Sequence, residues 1–251
     1  MTRFHIRPEA VTGDRVTFDA EETRHLARVL RLRPGAVVQT VDGRGHALTV
    51  RLTRIESRLA EGDVIGRGAE TCESPLDLTL VQGIPKGEKL EVIIRMATEL
   101  GVARVIPLIG ERTIAKTDPG RRSPRLARWQ RVAKEAAKQS GRAVIPEVRP
   151  PRALAEWLAE PRAPGLFLCL WERALTPVAS VLPDGPVERA ILVVGPEGGF
   201  AEREVSTLRS AGAIVAGLGP RILRSETAGA VGLALLQSRY GDLGTPGRGE
   251  P

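Results

Sequence analysis

The chain is poor in aromatic side chains, with Phe, Trp and Tyr making up 3% of its 251 residues. It holds two cysteines, Cys72 and Cys169, and three histidines, His5, His25 and His46. Two cysteines exclude a disulfide framework and a four-cysteine zinc site. Three scattered histidines leave little for a metal cluster, so no metal is expected. No apolar run approaches the ~18 residues of a membrane span. The first ten residues, MTRFHIRPEA, lack the apolar core of a secretory signal. A cytoplasmic protein with no membrane partner is therefore expected. Lysine is also scarce, at five of 37 basic residues. What is present is ordinary for a globular protein: 42% hydrophobic and 27% charged residues. The length suits one large domain or two modest ones.

The net charge is +7. Residues 121–142 carry eight basic side chains (Arg121, Arg122, Arg125, Arg128, Arg131, Lys134, Lys138 and Arg142) against one acid, Glu135. The excess of the whole chain is thus matched by this one segment. A localised excess is the electrostatic footprint of a polyanion-binding face, with nucleic acid as the first candidate. A solvated helix face is the other reading. A weaker basic cluster lies at Arg24, His25, Arg28, Arg31 and Arg33, which either grips RNA or solvates its helix.

Residues 1–72 read as short strands, at Val16–Phe18, Val37–Val41 and Ala47–Leu52, bounded by Pro34-Gly35 and Asp42-Gly43-Arg44-Gly45. One helix is predicted among them, Glu21 to Leu32, with Leu26, Val29 and Leu30 on its apolar face. This is the pattern of a small β-barrel. The polar stretch Glu70–Pro75 marks a boundary. Beyond it, over 73–243, strands and helices alternate. Strands are predicted at 76–81, 102–108, 165–170, 190–194 and 214–218. Helices are predicted at 88–100, from Ser123 as cap with Pro124 behind it, from near Ala201, and at 226–240. The runs at 165–170 and 190–194 are apolar throughout, as in strands buried on both faces of a parallel sheet. An α/β domain follows from this alternation. Residues 244–251 read as a flexible tail.

In a parallel α/β sheet the chemistry sits at the carboxyl ends of the strands. Three loops leave such ends: Leu170-Trp171-Glu172, Gly195-Pro196-Glu197-Gly198-Gly199, and Gly219 to Thr227. The second is neither a Walker loop nor Gly-x-Gly-x-x-Gly, which disfavours a triphosphate or a dinucleotide. By itself it also reads as a tight strand-to-helix turn. The third concentrates Arg221, Arg224, Glu226 and Thr227, more polar groups than a short connection needs.

GPEGGF at 195–200 and LGPRILRSETA at 218–228 resemble the RsmE family, the uridine-N3 methyltransferases of small-subunit rRNA in the SPOUT superfamily. Arg3-Phe4, RHLARVLRLRPG at 24–35, DGRG at 42–45, QGIPKGEK at 82–89, TELGV at 98–102 and KQSGRAVIPEV at 138–148 are similar as well. The resemblance runs over residues 3–240. It implies a PUA-like β-barrel followed by a SPOUT α/β domain with a C-terminal trefoil knot; base rates alone argue against a knot. The implied cofactor is S-adenosylmethionine, held largely through backbone groups of the three loops. Leu170 and Glu172 belong to the first; Gly195, Pro196, Glu197, Gly198 and Gly199 to the second; Leu218, Gly219, Ile222, Leu223, Thr227 and Ala228 to the third. The implied partners are 16S rRNA within the small ribosomal subunit and a second copy of the chain.

The expected RNA-binding residues are Arg3, Arg24, His25, Arg28, Arg31, Arg128, Arg131, Lys134, Lys138, Gln139, Ser140 and Arg142. Methylation at N3 requires uracil to lose a proton, which a nearby cation such as Arg221 or Arg224 favours by stabilising the anion. Glu226 is a candidate base, or else a salt-bridge partner of an arginine or a helix N-terminal charge. Two other functions share these residues: a SPOUT enzyme with another target, such as a ribose hydroxyl or a tRNA guanine, and a non-catalytic RNA-binding protein.

Overall fold

The computed structural model describes residues 3–68, 73–113 and 122–245, with the backbone alone given for Arg3 and Arg122. Cys72, Arg121 and the tail from 246 lie outside the described residues. Two compact units are present. The first is Met1–Glu73 with Ala137–Ile145, and the second is Ser74–Ala136 with Pro146–Pro251. The sequence division at 72/73 thus separates 137–145 from the unit it joins. That segment is tied to the first unit by Glu73, whose carboxylate accepts the N–H groups of Ala143 (2.9 Å) and Val144 (3.0 Å).

The first unit is a curled sheet. Its strands are β1 (Arg3–His5), β2 (Val11–Thr12), β3 (Arg15–Phe18), β4 (Val37–Val41), β5 (Ala47–Ile55) and β6 (Ala60–Gly68), in the order β1-β4-β5-β6-β3-β2. All neighbours are antiparallel except β1 and β4. The expected barrel is open: β1 and β2 stand at its two edges. Register shifts at Thr49/Val50 and Leu52/Arg54 bend the long β5–β6 ladder. Alternation then buries Val16, Phe18, Val50 and Leu52 together with Phe4 and Leu26 on one face. Phe4 and Phe18 meet edge to face, with centroids 6.1 Å apart.

The helix expected over Glu21–Leu32 is shorter. α1 (Ala20–Arg24) is capped by Asp19, whose carboxylate accepts the N–H of Glu22 at 2.9 Å. From His25 the turn widens, and Leu30 N–H bonds the His25 carbonyl five residues back at 3.0 Å. This is a π turn. It keeps Leu26 fully buried but leaves Val29 67% exposed, so the predicted apolar face is broken. Arg31 then takes a φ of 52°.

The second unit is built on a parallel sheet of seven strands: β7 (Asp77–Gly83), β8 (Arg104–Ile109), β9 (Glu147–Val148), β10 (Arg152–Ala153), β11 (Leu166–Leu170), β12 (Arg189–Val194) and β13 (Ile214–Ala216). The order is β10-β8-β7-β12-β11-β13, with β9 also on β8. From β7 the chain moves out to β8 on one side and from β12 out to β13 on the other, so the switch point lies between β7 and β12. Five helices accompany the sheet: α2 (Lys89–Glu99), α3 (Arg122–Ser140), α4 (Leu154–Ala159), α5 (Glu202–Ser210) and α6 (Ser225–Tyr240). α3 already includes Arg122, so Ser123 lies inside the helix rather than capping it. Trp129, Ala133 and Ala136 of α3 are buried. The central strands are apolar on both faces because both are covered, with Val81, Ile106 and Val193 packing under Phe200, Val205 and Leu208.

Candidate active site

The three loops predicted to carry the chemistry leave the carboxyl ends of β11, β12 and β13 and converge on one cavity of about 620 Å³. That volume suits a small ligand or cofactor. All the expected cofactor residues line it except Thr227, which is exposed as the third residue of α6. Arg221 and Arg224 line it as well, while Glu226 stands outside the wall. Lys89, Trp171, Val194 and Ser225 complete the lining.

Backbone geometry fixes the second loop. Gly199 has a φ of +66°, a conformation that disfavours any side chain. A Cβ there would lie 2.6 Å from Glu172 Oε1, so the glycine is what lets the first loop's carboxylate close on the second loop. Beneath lies a floor with no role assigned from sequence, the stretch from Gln82 to Lys89. Gln82 is fully buried at the end of β7. Its amide donates to the Gly195 carbonyl (3.2 Å) and to Ser225 Oγ (2.8 Å), and Ser225 donates to the same carbonyl (2.8 Å). Gly83 is flush against Gly195 and Pro196, where a Cβ would collide with the Pro196 nitrogen. The Lys86 N–H and the Lys89 ammonium both reach Glu197, the latter at 3.0 Å. Partial burial pushes the Glu197 carboxyl up, but these partners outweigh it and hold it below its ordinary value.

A second brace comes from the far side. Glu204 of α5 accepts the N–H groups of Ala201 and Glu111, both at 2.8 Å. Arg112, in the loop after β8, donates to the Gly198 carbonyl at 2.8 Å. QGIPKGEK was visible in the sequence as a resemblance, but the pairing of Gln82 and Lys89 needs the sheet to exist first. Nothing in the sequence pointed to Arg112 or Glu204.

Arg224 occupies the N-cap position of α6 in extended backbone, and Arg221 is exposed at the mouth. Neither has an ion-pair partner among the described residues, so the alternative Arg224–Glu226 bridge is absent there. The cation nearest Glu226 is Lys89, at 3.9 Å from Oε1. Glu226 Oε2 is buried with no hydrogen-bond partner, as are Trp171 Nε1 and Gln82 Oε1.

The expected RNA residues divide. Arg24, Arg28 and Arg31 of the first unit are exposed, and His25 is half-buried with its ring 5.5 Å from that of Phe4. The Arg3 side chain lies outside the described residues. In α3, Arg131 and Gln139 are exposed, Lys134 and Ser140 are half-buried, and Arg128 is held by Glu88 (2.9 Å) and Glu91 (2.8 Å). Two expectations need correction. Lys138 turns inward onto Glu22, 2.7 Å away and with no exposed surface. Arg142 is 4% exposed and bonds Glu73 through Nε (3.1 Å) and Nη2 (2.7 Å). Both cations neutralise carboxylates with little or no exposed surface instead of facing solvent, because an uncompensated desolvated charge is costly.

A family model described as an RNA methyltransferase domain matches residues 72–237, and one described as an RNA methyltransferase PUA domain matches residues 18–65. With a parallel sheet whose loops meet in one cavity, these matches make the chain an RNA methyltransferase with a PUA domain. Among curated relatives, ribosomal RNA small subunit methyltransferase E of Bacillus subtilis is 33% identical, over 83% of this chain and 84% of the relative. The protein of the same name from Mycobacterium bovis is 34% identical, over 94% and 92%. A crystal structure of ribosomal RNA small subunit methyltransferase E from Neisseria gonorrhoeae, bound to S-adenosyl methionine, superposes with a TM-score of 0.86 at 35% identity, covering 96% of this chain and 99% of that one. The chain belongs to the ribosomal RNA small subunit methyltransferase E family.

Proposed function

We propose that this chain methylates N3 of a uridine in small-subunit ribosomal RNA, using S-adenosylmethionine, in the cytoplasm and as a homodimer. The observation that carries the reading is the single cavity formed by all three family loops, with Arg221 and Arg224 in its wall and free of carboxylate partners among the described residues. The cavity fits the cofactor. Gly199 allows close approach, and the Glu172 and Glu197 carboxylates suit a cationic sulfonium. S-adenosylmethionine supplies, when bound, a methyl group already activated on sulfur.

The chain's own residues then position and polarise. The guanidinium of Arg224, with Arg221 beside it in sequence, favours the anionic form of uracil and so lowers the cost of removing the N3 proton. Glu226 presents a buried oxygen with no hydrogen-bond partner, which leaves it open to accept that proton. The exposed arginines of the first unit and Arg131 of α3 supply phosphate contacts. The implied knot accords with α6, which returns from β13 at the sheet edge to pack on β12, β7 and α2. Dimerisation accords with the solvent face of α6, where Val231 and Leu235, one turn apart, are 36% and 37% exposed. Leu235→Arg should yield monomers by sedimentation analysis; a wild-type chain that is already monomeric removes the dimer from the reading.

Mass spectrometry of ribosomal RNA from a deletion strain tests the activity. One methyl should vanish from one small-subunit uridine and return with the gene. Unchanged rRNA, with calorimetry showing no cofactor binding, leaves a non-catalytic RNA-binding protein. A methyl lost from another atom or RNA leaves a different target.

A further inference from the structure

The sheet of the second unit has another cavity, at its opposite end. It measures about 470 Å³ and lies at the amino ends of β7, β8, β11 and β12. Because every strand is parallel, this end faces away from the cofactor loops. Four arginines line it, Arg104, Arg149, Arg162 and Arg189, against two acids, Asp77 and Glu160. We propose that this cavity is a second ligand site and that it takes phosphate groups.

Few of the guanidinium donors around this cavity are used. Each arginine carries five N–H donors in a planar fork. Asp77 is shared between Arg104 and Arg189, and Arg189 Nε stands 3.6 Å from it, beyond a hydrogen bond. Glu160 is likewise shared, between Arg149 at 3.7 Å and Arg152 at 3.4 Å. The Arg149 guanidinium makes one hydrogen bond, from Nε to Glu147 at 3.1 Å. Arg162 has no carboxylate partner among the described residues and bonds the Leu158 carbonyl at 2.9 Å. The cavity therefore holds an excess of positive charge and a surplus of donors at fixed positions. Arginine forks match the oxygens of a phosphate in this way, each contact charge-assisted.

The same residues say which part of a ligand is read. The guanidinium of Arg162 lies 5.5 Å from the Trp157 ring centre and 5.3 Å from that of Phe167. Trp157 is otherwise buried, at 3% exposure. The aromatic surface on which a base could stack is thus taken by the arginine itself. What remains open is cationic, so the site recognises phosphate without regard to base. The volume exceeds that of one phosphate and admits an oligophosphate or a stretch of nucleic-acid backbone. The two share one chemistry and are separated by the test.

Arg149→Gln/Arg189→Gln removes two charges on side chains that pack no core. Calorimetry with pyrophosphate and salt-dependent binding of a single-stranded small-subunit rRNA oligonucleotide are measured on the full chain. Binding of pyrophosphate that weakens at least tenfold in the variant supports the site with a free oligophosphate as ligand. An RNA salt slope that flattens by about 0.7 for each lost contact supports it with RNA backbone as ligand. In either case Arg149→Lys/Arg189→Lys should keep part of the binding, and cofactor affinity and the cooperative thermal transition should not change. If neither probe distinguishes variant from wild type, or if cofactor affinity falls in step, the proposal is overturned. The cofactor measurement also separates this outcome from failure of the methyltransferase reading, since loss of cofactor binding in the wild type bears on that reading alone.

Discussion

At the scale of single residues, the site is governed by what is missing and what is unpaired. Gly199 lacks a Cβ where Glu172 closes in, and its φ of +66° costs an L-residue about 1–2 kcal/mol. Gly199→Val should therefore abolish cofactor binding by calorimetry and lower the melting temperature, while unfolding stays cooperative; normal affinity in the variant would put the cofactor elsewhere. Arg224 is unpaired among the described residues. The competing account, a bridge to Glu226 that only shapes the loop, has no support in the observed distances, since Glu226 neighbours Lys89 instead. A cation that acts on the anionic form of uracil is felt in the chemical step. Arg224→Ala should lower single-turnover methyl transfer by roughly 10²–10³ with little change in binding of either substrate. Raising the pH should recover part of the rate, because solution hydroxide supplies more deprotonated uracil. Arg224→Lys should recover little if the contact is bidentate. A wild-type transfer rate in the alanine variant removes Arg224 from catalysis.

At the scale of elements, charge on a helix has to be counted after its partners are known. Arg128 and Arg131 lie on the same basic helix and look equivalent in sequence. In the fold Arg128 is engaged by Glu88 and Glu91, and Arg131 is exposed with no ion pair among the described residues. Arg131→Ala should thus weaken RNA binding and reduce its salt slope by about one phosphate contact, some 0.7–0.9. Arg128→Ala should do less, because its charge is already balanced; equal effects in a salt titration would show that RNA displaces the two glutamates. The same contrast explains what was legible. The strands 166–170 and 189–194 could be read because a strand buried on both faces is apolar throughout, and burial leaves its mark locally. The loop after the second could be read because Gly and Pro punctuate it and a family motif sits there. The π turn after α1 could not, since Leu26, Val29 and Leu30 keep a helical spacing and only the sheet beneath decides that Val29 stays out. β9 and β10, of two residues each, have too little pattern to register. The pairing of Gln82 and Lys89 under the cofactor loop was invisible for the same reason as the inward turn of Lys138: a polar residue's partner lies far along the chain.

At the scale of the molecule, the first compact unit is not the first stretch of sequence. The chain enters it twice, and the second visit, Ala137–Ile145, brings Lys138 to Glu22 and Arg142 to Glu73. The PUA match at 18–65 gives no hint of this, because it spans the sheet without the returning segment. Glu22 is fully buried at 0% exposure, and removing one partner of a buried pair costs about 3–5 kcal/mol. A single core in a chain of at most about 70–80 residues rarely supplies more than roughly 3–5 kcal/mol in all. The two quantities are of the same size, so a fragment of residues 1–73 should not fold cooperatively, despite containing every strand of its sheet. The predicted obstacle is the buried Glu22 charge deprived of Lys138, which makes the prediction specific. Glu22→Gln in the fragment should restore a thermal transition by circular dichroism, since a neutral amide is far cheaper to bury than a charge. In the full chain the same substitution should act in the opposite sense and lower the melting temperature, because it strands Lys138 in a site with little solvent. A fragment that melts cooperatively with Glu22 intact, or a full-length Glu22→Gln variant as stable as wild type, would mean that the returning segment contributes nothing to the first unit. The opposite signs of the two effects are what distinguish a missing ion partner from a general loss of packing, which would destabilise fragment and full chain alike.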